Sequence, residues 1–161
     1  MAETDAARRQ ETTAMVAGLL AGQRFAVLST ASGMSPYANL IAFWAPDDLA
    51  YVVFATMRAT RKFNYLAENP HVALLFDNRS NRGVDVREAM AVTATGTARE
   101  FTPAERDEVL THFLAKHPHL ESFVASPGCA LVGIDIDTYY VVTRFQNVVE
   151  LHMRAPHAEG G

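Results

Sequence analysis

The chain has 161 residues, of which 49% are hydrophobic and 20% charged, and this composition predicts a single domain over residues 1–161 with an ordered core at about residues 8–154. Its formal net charge of −4 disfavours nucleic-acid and anionic-membrane partners, because such binding needs many cations on one surface. No apolar run approaches the roughly 18 residues of a membrane span, and the polar, acidic N-terminus does not resemble an export signal. We therefore predict a cytoplasmic protein.

Cysteine and histidine usage argues against a metal centre. Cys129 is the only cysteine, so it excludes an intrachain disulfide and a paired thiolate site, and we expect it to be a small buried residue. The six histidines lack thiol partners and helical metal-ligand spacing, which predicts loop and surface histidines. The sequence therefore predicts no metal site.

The first part of the chain is predicted to be one helix followed by three strands. The helix begins at Thr4 or Asp5 and ends at Gly22, with Met15, Leu19 and Leu20 spaced for one apolar face. Strands are predicted at residues 24–30, 37–45 and 49–55, and the short turns between them make neighbouring strands antiparallel.

The second part alternates helices and strands. A helix is predicted from near Thr60 to Asn69-Pro70, because proline disfavours helix in the residue before it. Strands follow at residues 71–77 and 89–100, then a helix capped at Thr102 and a short helical segment at residues 120–126. The remaining residues, up to 153, predict one long or two shorter strands and an ending strand.

Six or seven antiparallel strands with peripheral helices predict a mainly β fold that closes, or nearly closes, into a barrel, because closure removes exposed strand edges. We expect Trp44 and the Tyr139-Tyr140 pair to lie in the core or in a subunit interface.

A cluster of cations begins the helix after the third predicted strand. Arg58, Arg61 and Lys62 lie where the helix dipole favours carboxylates, and Thr56 and Thr60 add hydroxyl groups. Backbone N–H groups, guanidinium, ammonium and hydroxyl groups together suit a phosphate group. The pattern predicts a phosphate site, with a solvated basic surface as the alternative.

The segment FATMRATRKFNYLAENPHVALLFDNRSN, with VTATGTARE downstream, resembles the FMN-binding split-barrel superfamily related to pyridoxamine 5′-phosphate oxidase. The resemblance spans about residues 24–151. It implies a six-stranded antiparallel split barrel that forms a homodimer, with FMN in grooves at the subunit interface.

The resemblance also assigns roles to residues. Arg61 and Lys62 are expected to bind the flavin phosphate most directly, with Thr56, Arg58 and Thr60 assisting. The flavin ring is expected along the second strand, where mainly backbone groups would contact it. That stretch is Asn39, Leu40, Ile41, Ala42 and Phe43. Asn78, Arg79 and Arg144 are weaker candidates for polar contacts to the ring or the substrate, and no catalytic residue is assigned.

The resemblance to the oxidase itself ends at the substrate site. The fifth strand reads Met90-Ala91-Val92 where the oxidase carries Arg-Gln-Val, and the tryptophan and the Arg-and-His segment near the oxidase C-terminus have no clear match. The sequence thus predicts a flavin-dependent oxidoreductase that acts on another small molecule, with reduced nicotinamide as one donor. The alternatives are an F420-dependent reductase, a haem-binding split-barrel protein and a flavin carrier or sensor without turnover.

Overall fold

The architecture is a β-barrel with helices around it, seen in a computed structural model that describes residues 1–144 and 147–154. The helices are α1 (Ala2–Gly22), α2 (Arg61–Glu68), α3 (Asp85–Glu88), α4 (Pro103–Lys116) and α5 (Glu121–Val124), with a 3₁₀ turn at Pro118–Leu120. The strands are β1 (Phe25–Ser32), β2 (Ser35–Trp44), β3 (Tyr51–Met57), β4 (His71–Asp77), β5 (Met90–Glu100), β6 (Cys129–Thr143) and β7 (Asn147–His152).

The first six strands close into the predicted antiparallel barrel. Their order is β3-β2-β1-β4-β5-β6, and pairing between β3 and β6 completes the ring, while β7 adds to the outer side of β6. Closure is possible because the strands alternate inward apolar and outward residues, as in β4, where Val72, Leu74 and Phe76 are buried. This confirms the mainly β, six-stranded fold.

Two apolar clusters fill the inside and one outer face of the barrel. The inner cluster includes Phe43, Phe54 and Tyr139, whose hydroxyl donates to the Leu49 carbonyl at 2.9 Å. The outer cluster lies under α4 and α5 and includes Phe113 and the buried Cys129. The predictions that Tyr139 is a core residue and that Cys129 is buried are therefore confirmed.

The barrel is open between β2 and β3. These strands pair at only two positions, Phe43 with Phe54 and Trp44 with Val53, whereas β2 pairs with β1 at eight positions. The part of β2 before Phe43 therefore has one backbone edge that forms no pairing with β3. This opening lies beside the start of α2, which follows β3 directly.

Several predicted boundaries were wrong. The first turn is only Gly33-Met34, since β1 and β2 extend toward each other on either side of it. The third strand begins at Tyr51 rather than residue 49, because Leu49 lies in a turn and has a left-handed φ of 60°. The N–H of Leu49 donates to the Pro46 carbonyl. Helix α1 begins at Ala2 without a side-chain cap.

The buried face of α1 also differs from the prediction. Val16, Leu19 and Leu20 pack into the inner cluster, whereas Met15 is 38% exposed. Residues 16, 19 and 20 follow the helical spacing that brings side chains to one face. Among the described residues, no helix is long and apolar enough to cross a membrane.

Candidate functional site

The loop between β3 and α2 is held by its two threonines. Thr60 precedes the helix, its Oγ1 accepts from the Phe63 N–H at 3.3 Å, and it donates to the Met57 carbonyl at 2.8 Å. Thr56 is only 2% exposed, and its Oγ1 lies 3.1 Å from that of Thr60. Because these hydroxyls bond within the loop, they fix its shape at the start of α2.

Arg61 and Lys62 begin α2 without any acidic residue in the first turn. The Lys62 side chain is half-buried with its Nζ 6.0 Å from the centre of the Phe54 ring, and burial lowers the pKa of its ammonium. Among the described residues it has no hydrogen-bond or ion-pair partner. Arg61 is exposed, and its guanidinium lies 5.5 Å from the centre of the Tyr37 ring. Within residues 1–144 and 147–154, the helix start is thus a positive site without a carboxylate to neutralise it.

Arg58 pairs with a carboxylate outside α2, and its guanidinium also lies 5.5 Å from the centre of the Phe63 ring in the first turn of that helix. Its guanidinium forms a two-pronged ion pair with Glu100 at the end of β5, one contact measuring 2.9 Å, and this pairing lowers the pKa of the Glu100 carboxyl. Arg58 also lines a separate open cleft of about 880 Å³ with Arg106 and Cys129. Its predicted assistance to a phosphate would require it to leave Glu100.

The predicted ring-binding stretch of β2 lies along the opening in the barrel. Ile41 and Phe43 point into the core, whereas Leu40 is 64% exposed on the outer face. Asn39 points inward, and its side-chain oxygen is buried without a hydrogen-bond partner in the part of the chain that the structure describes. A buried acceptor of this kind lies next to the open edge of β2 and to the cations that start α2. The combination fits a ligand with both an anionic group and hydrogen-bond donors.

The three weaker candidates lie away from Lys62, although Arg79 lines an outer pocket together with Leu40 of the predicted ring-binding stretch. Asn78 joins the end of β4 to the start of β5 by accepting from the Met90 N–H at 2.7 Å. Arg79 pairs with Asp77 at 3.2 Å. Arg144 follows β6 in an exposed turn, with a left-handed φ of 49°. Since β6 begins beside Met57 and ends beside Met90, one chain does not bring these residues to Lys62.

Two aromatic residues next to the cations escaped the sequence analysis. Tyr37 lies under Arg61 and meets Tyr65 edge-on, with 6.0 Å between the ring centres. Tyr65 could have been found from the sequence, because it lies four residues after Arg61 and therefore on the same helix face. Tyr37 carried no signal, because its partner is distant in sequence.

The histidine prediction was wrong for His117. This residue is 6% exposed, and its Nε2 lies 2.7 Å from the Phe43 carbonyl, so Nε2 carries the proton. Burial lowers the pKa of its imidazole. Within residues 1–144 and 147–154, no group of histidine, cysteine and acidic side chains is arranged to hold a metal. His157 lies outside the described residues.

An apolar surface covers the outer face of β2, β1 and β4. Val27 pairs with both Leu40 and Leu75, and Phe25, 55% exposed, pairs with Ala42. Exposed apolar residues that are contiguous on one sheet face are typical of protein interaction surfaces. We call this the outer apolar face; it includes part of the stretch predicted to bind the ring.

Comparisons with known proteins agree with the resemblance. The family model for pyridoxamine 5′-phosphate oxidase matches residues 12–143. A search of curated proteins finds no match.

Three solved structures have similar folds. A haem-binding protein from Mycobacterium smegmatis has a TM-score of 0.77 at 13% identity over 87% of this chain, which spans 57% of that protein. General stress protein 26 from Bacillus anthracis gives 0.64 at 20% identity, covering 88% of this chain and 98% of that one. An FAD-binding protein from Mesorhizobium loti has a TM-score of 0.60 at 19% identity, with 77% of this chain and 88% of that one covered. At these identities the likeness concerns the fold.

Proposed function

The chain belongs to the pyridoxamine 5′-phosphate oxidase family, and on this premise we propose that it is an FMN-binding oxidoreductase. It would move electrons between a reduced donor, such as a reduced nicotinamide, and a small substrate. Bound FMN would supply the electron or hydride transfer, while the protein supplies position and electrostatics. Such a division of roles does not require an acid, base or nucleophile in the chain.

The observation that carries this proposal is the unneutralised positive site at the start of α2. A half-buried ammonium without a counter-ion is unfavourable, and Lys62 is in this state among the described residues. A phosphate ester would relieve it and would also interact with the helix dipole and Arg61. The open edge of β2 adjoins this site and offers backbone donors and acceptors to a flat ring, as a split barrel of this family would require.

A homodimer is the second part of the proposal. The outer apolar face offers a surface that a second copy could cover symmetrically, which would remove Phe25 and Leu40 from water. Leu40 belongs both to this face and to the ring-binding stretch, so a dimer would place the cofactor at the interface. It would also give Asn78, Arg79 and Arg144 a route to the cofactor of the partner subunit.

Charge pairing supports FMN over F420. The longer anionic tail of F420 requires a longer basic groove, for which the sequence offers Arg58, Arg79 and Arg82. Arg58 is paired with Glu100 and Arg79 with Asp77, which leaves Arg82 in the loop after β4 as the remaining candidate. A single phosphate needs only the site formed by Arg61 and Lys62.

Native purification tests the proposal. We expect the protein to retain a cofactor with the mass of FMN and absorption bands near roughly 370 and 450 nm, as general for flavins. A single deazaflavin band would select F420, and a Soret band would select haem. Oxidation of a reduced nicotinamide with an artificial electron acceptor would separate an enzyme from a flavin carrier.

A double variant tests the binding site. Replacing Arg61 and Lys62 with alanine should abolish FMN retention, because both cations at the helix start are lost, while the far-ultraviolet circular dichroism spectrum stays unchanged. The matched control replaces Arg8 and Arg9 with alanine, since these two neighbouring cations lie on the exposed surface of α1, where Arg9 donates to the His152 carbonyl at 2.9 Å. Full FMN retention by the Arg61 and Lys62 variant would refute the phosphate assignment.

A further inference from the structure

Asn39 carries a buried side-chain oxygen for which the described residues provide no hydrogen-bond donor. Its Oδ1 has no hydrogen-bond partner among the described residues, while its Nδ2 donates to the Leu40 carbonyl at 3.4 Å. A carbonyl oxygen only accepts, so the nitrogen must face Leu40 and the oxygen must face the enclosed side. Burying an acceptor without a donor destabilises a folded protein, and native proteins contain few such atoms.

The position of Asn39 connects this acceptor to the cofactor site. Asn39 pairs with Leu28, which is fully buried, so both side chains project toward the barrel interior. Tyr37, which lies under Arg61, is two residues earlier on the same face, about 7 Å along the strand. No residue of β3 pairs with this part of β2. The unused oxygen therefore lies between the positive site and the closed part of the barrel.

We propose that Asn39 is a specificity-determining residue, whose side-chain oxygen accepts a hydrogen bond from an N–H or O–H group of the flavin. This inference rests on the proposed function. A flavin nucleotide offers such donors at the ring N3–H and at the ribityl hydroxyls. Ionised haem presents propionate acceptors and apolar groups at its edge, so it would leave the Asn39 oxygen unpaired. Asn39 thus favours flavins over haem by its chemistry.

The test compares two asparagine-to-leucine variants. Asn39→Leu keeps a similar side-chain size but removes the acceptor, whereas Asn64→Leu makes the same change on the exposed surface of α2. FMN affinity is measured by quenching of flavin fluorescence, and hemin affinity by its Soret band. Asn39→Leu should weaken FMN binding about tenfold. It should leave hemin binding unchanged or tighter, and Asn64→Leu should alter neither affinity.

Apoprotein stability gives a readout that does not depend on the cofactor. Asn39→Leu apoprotein should melt at or above the temperature of the wild-type apoprotein, because the unpaired acceptor is gone, yet FMN should raise its melting temperature less. A destabilised apoprotein with unchanged FMN affinity would assign Asn39 a merely structural role and overturn the inference. An equal loss of hemin and FMN affinity would also overturn it.

A flavin analogue identifies the donor and needs no protein variant. N3-methyl-FMN lacks the ring N–H, so weaker binding of this analogue to the wild-type protein assigns the donor to N3. If the wild-type protein binds N3-methyl-FMN and FMN equally and Asn39→Leu binds FMN more weakly, the donor is a ribityl hydroxyl. If neither change affects affinity, the inference fails while FMN binding stands. If the wild-type protein does not bind FMN, the proposed function fails first.

Discussion

Lys62 and Arg58 should differ sharply in their contribution to FMN binding, although both cations lie in the same five-residue cluster. Lys62 is half-buried beside Phe54 and has no partner among the described residues, whereas Arg58 is exposed and paired with Glu100. We therefore expect Lys62→Met to weaken FMN binding strongly and Arg58→Met to weaken it little. Methionine keeps the apolar stem in both variants.

The expected magnitudes follow from burial and pairing. A charge-assisted hydrogen bond to a phosphate contributes about 1.5–3 kcal/mol, so losing that of Lys62 should lower the affinity about 10- to 100-fold. Arg58 could reach a phosphate only by giving up Glu100, and an exposed ion pair contributes about 0–1 kcal/mol. Arg58→Met should therefore change the FMN affinity by less than about threefold.

Titration of each apoprotein with FMN, followed by fluorescence quenching, measures both affinities. Thermal unfolding of the apoproteins serves as the control: Lys62→Met should be no less stable than the wild type, since it removes a half-buried charge. The wild-type affinity should also fall at high pH. Burial lowers the pKa of Lys62, phosphate binding raises it again, and the gain disappears as pH rises through the pKa of the complex. Equal losses of affinity in the two variants would refute this reasoning.

Three further predictions concern assembly and stability. If the proposed homodimer forms through the outer apolar face, the wild type should be a dimer and Leu40→Glu a monomer in size-exclusion chromatography with light scattering; a monomeric wild type or a dimeric variant would contradict the proposed interface. Gly96→Ala should lower the free energy of unfolding by about 1–3 kcal/mol in denaturant titrations, because its Cβ would overlap the backbone carbonyl of Asp135 at a β-bulge; wild-type stability would contradict this. Burial lowers the pKa of Lys116 to about 8, so the folded state releases this proton before the unfolded state does. The stability of the wild type relative to Lys116→Met should therefore rise between about pH 8 and 10.5, and a pH-independent difference would disprove the shift.

Local physics explains which elements could be predicted from the sequence. Alternation of apolar and polar residues identified the strands, since the side chains of a strand alternate between two faces whatever their partner. Helix α4 begins where predicted because Thr102 and Glu105 form a reciprocal capping box within four residues. Helix α2 likewise begins after Thr60, which caps it, and ends before Asn69-Pro70. The cluster that starts α2 was visible because its cations are adjacent in the chain.

The sequence by itself determined the elements, the barrel class and the presence of a basic helix start. Only the tertiary structure decided the state of each charge, because Arg58 meets a carboxylate 42 residues away and Lys62 meets none among the described residues. It also decided that β2 separates from β3, that His117 is buried and that the oxygen of Asn39 has no partner in the part of the chain that the structure describes. Burial and pairing depend on residues brought together by folding from distant parts of the chain, and a linear pattern does not encode these distances.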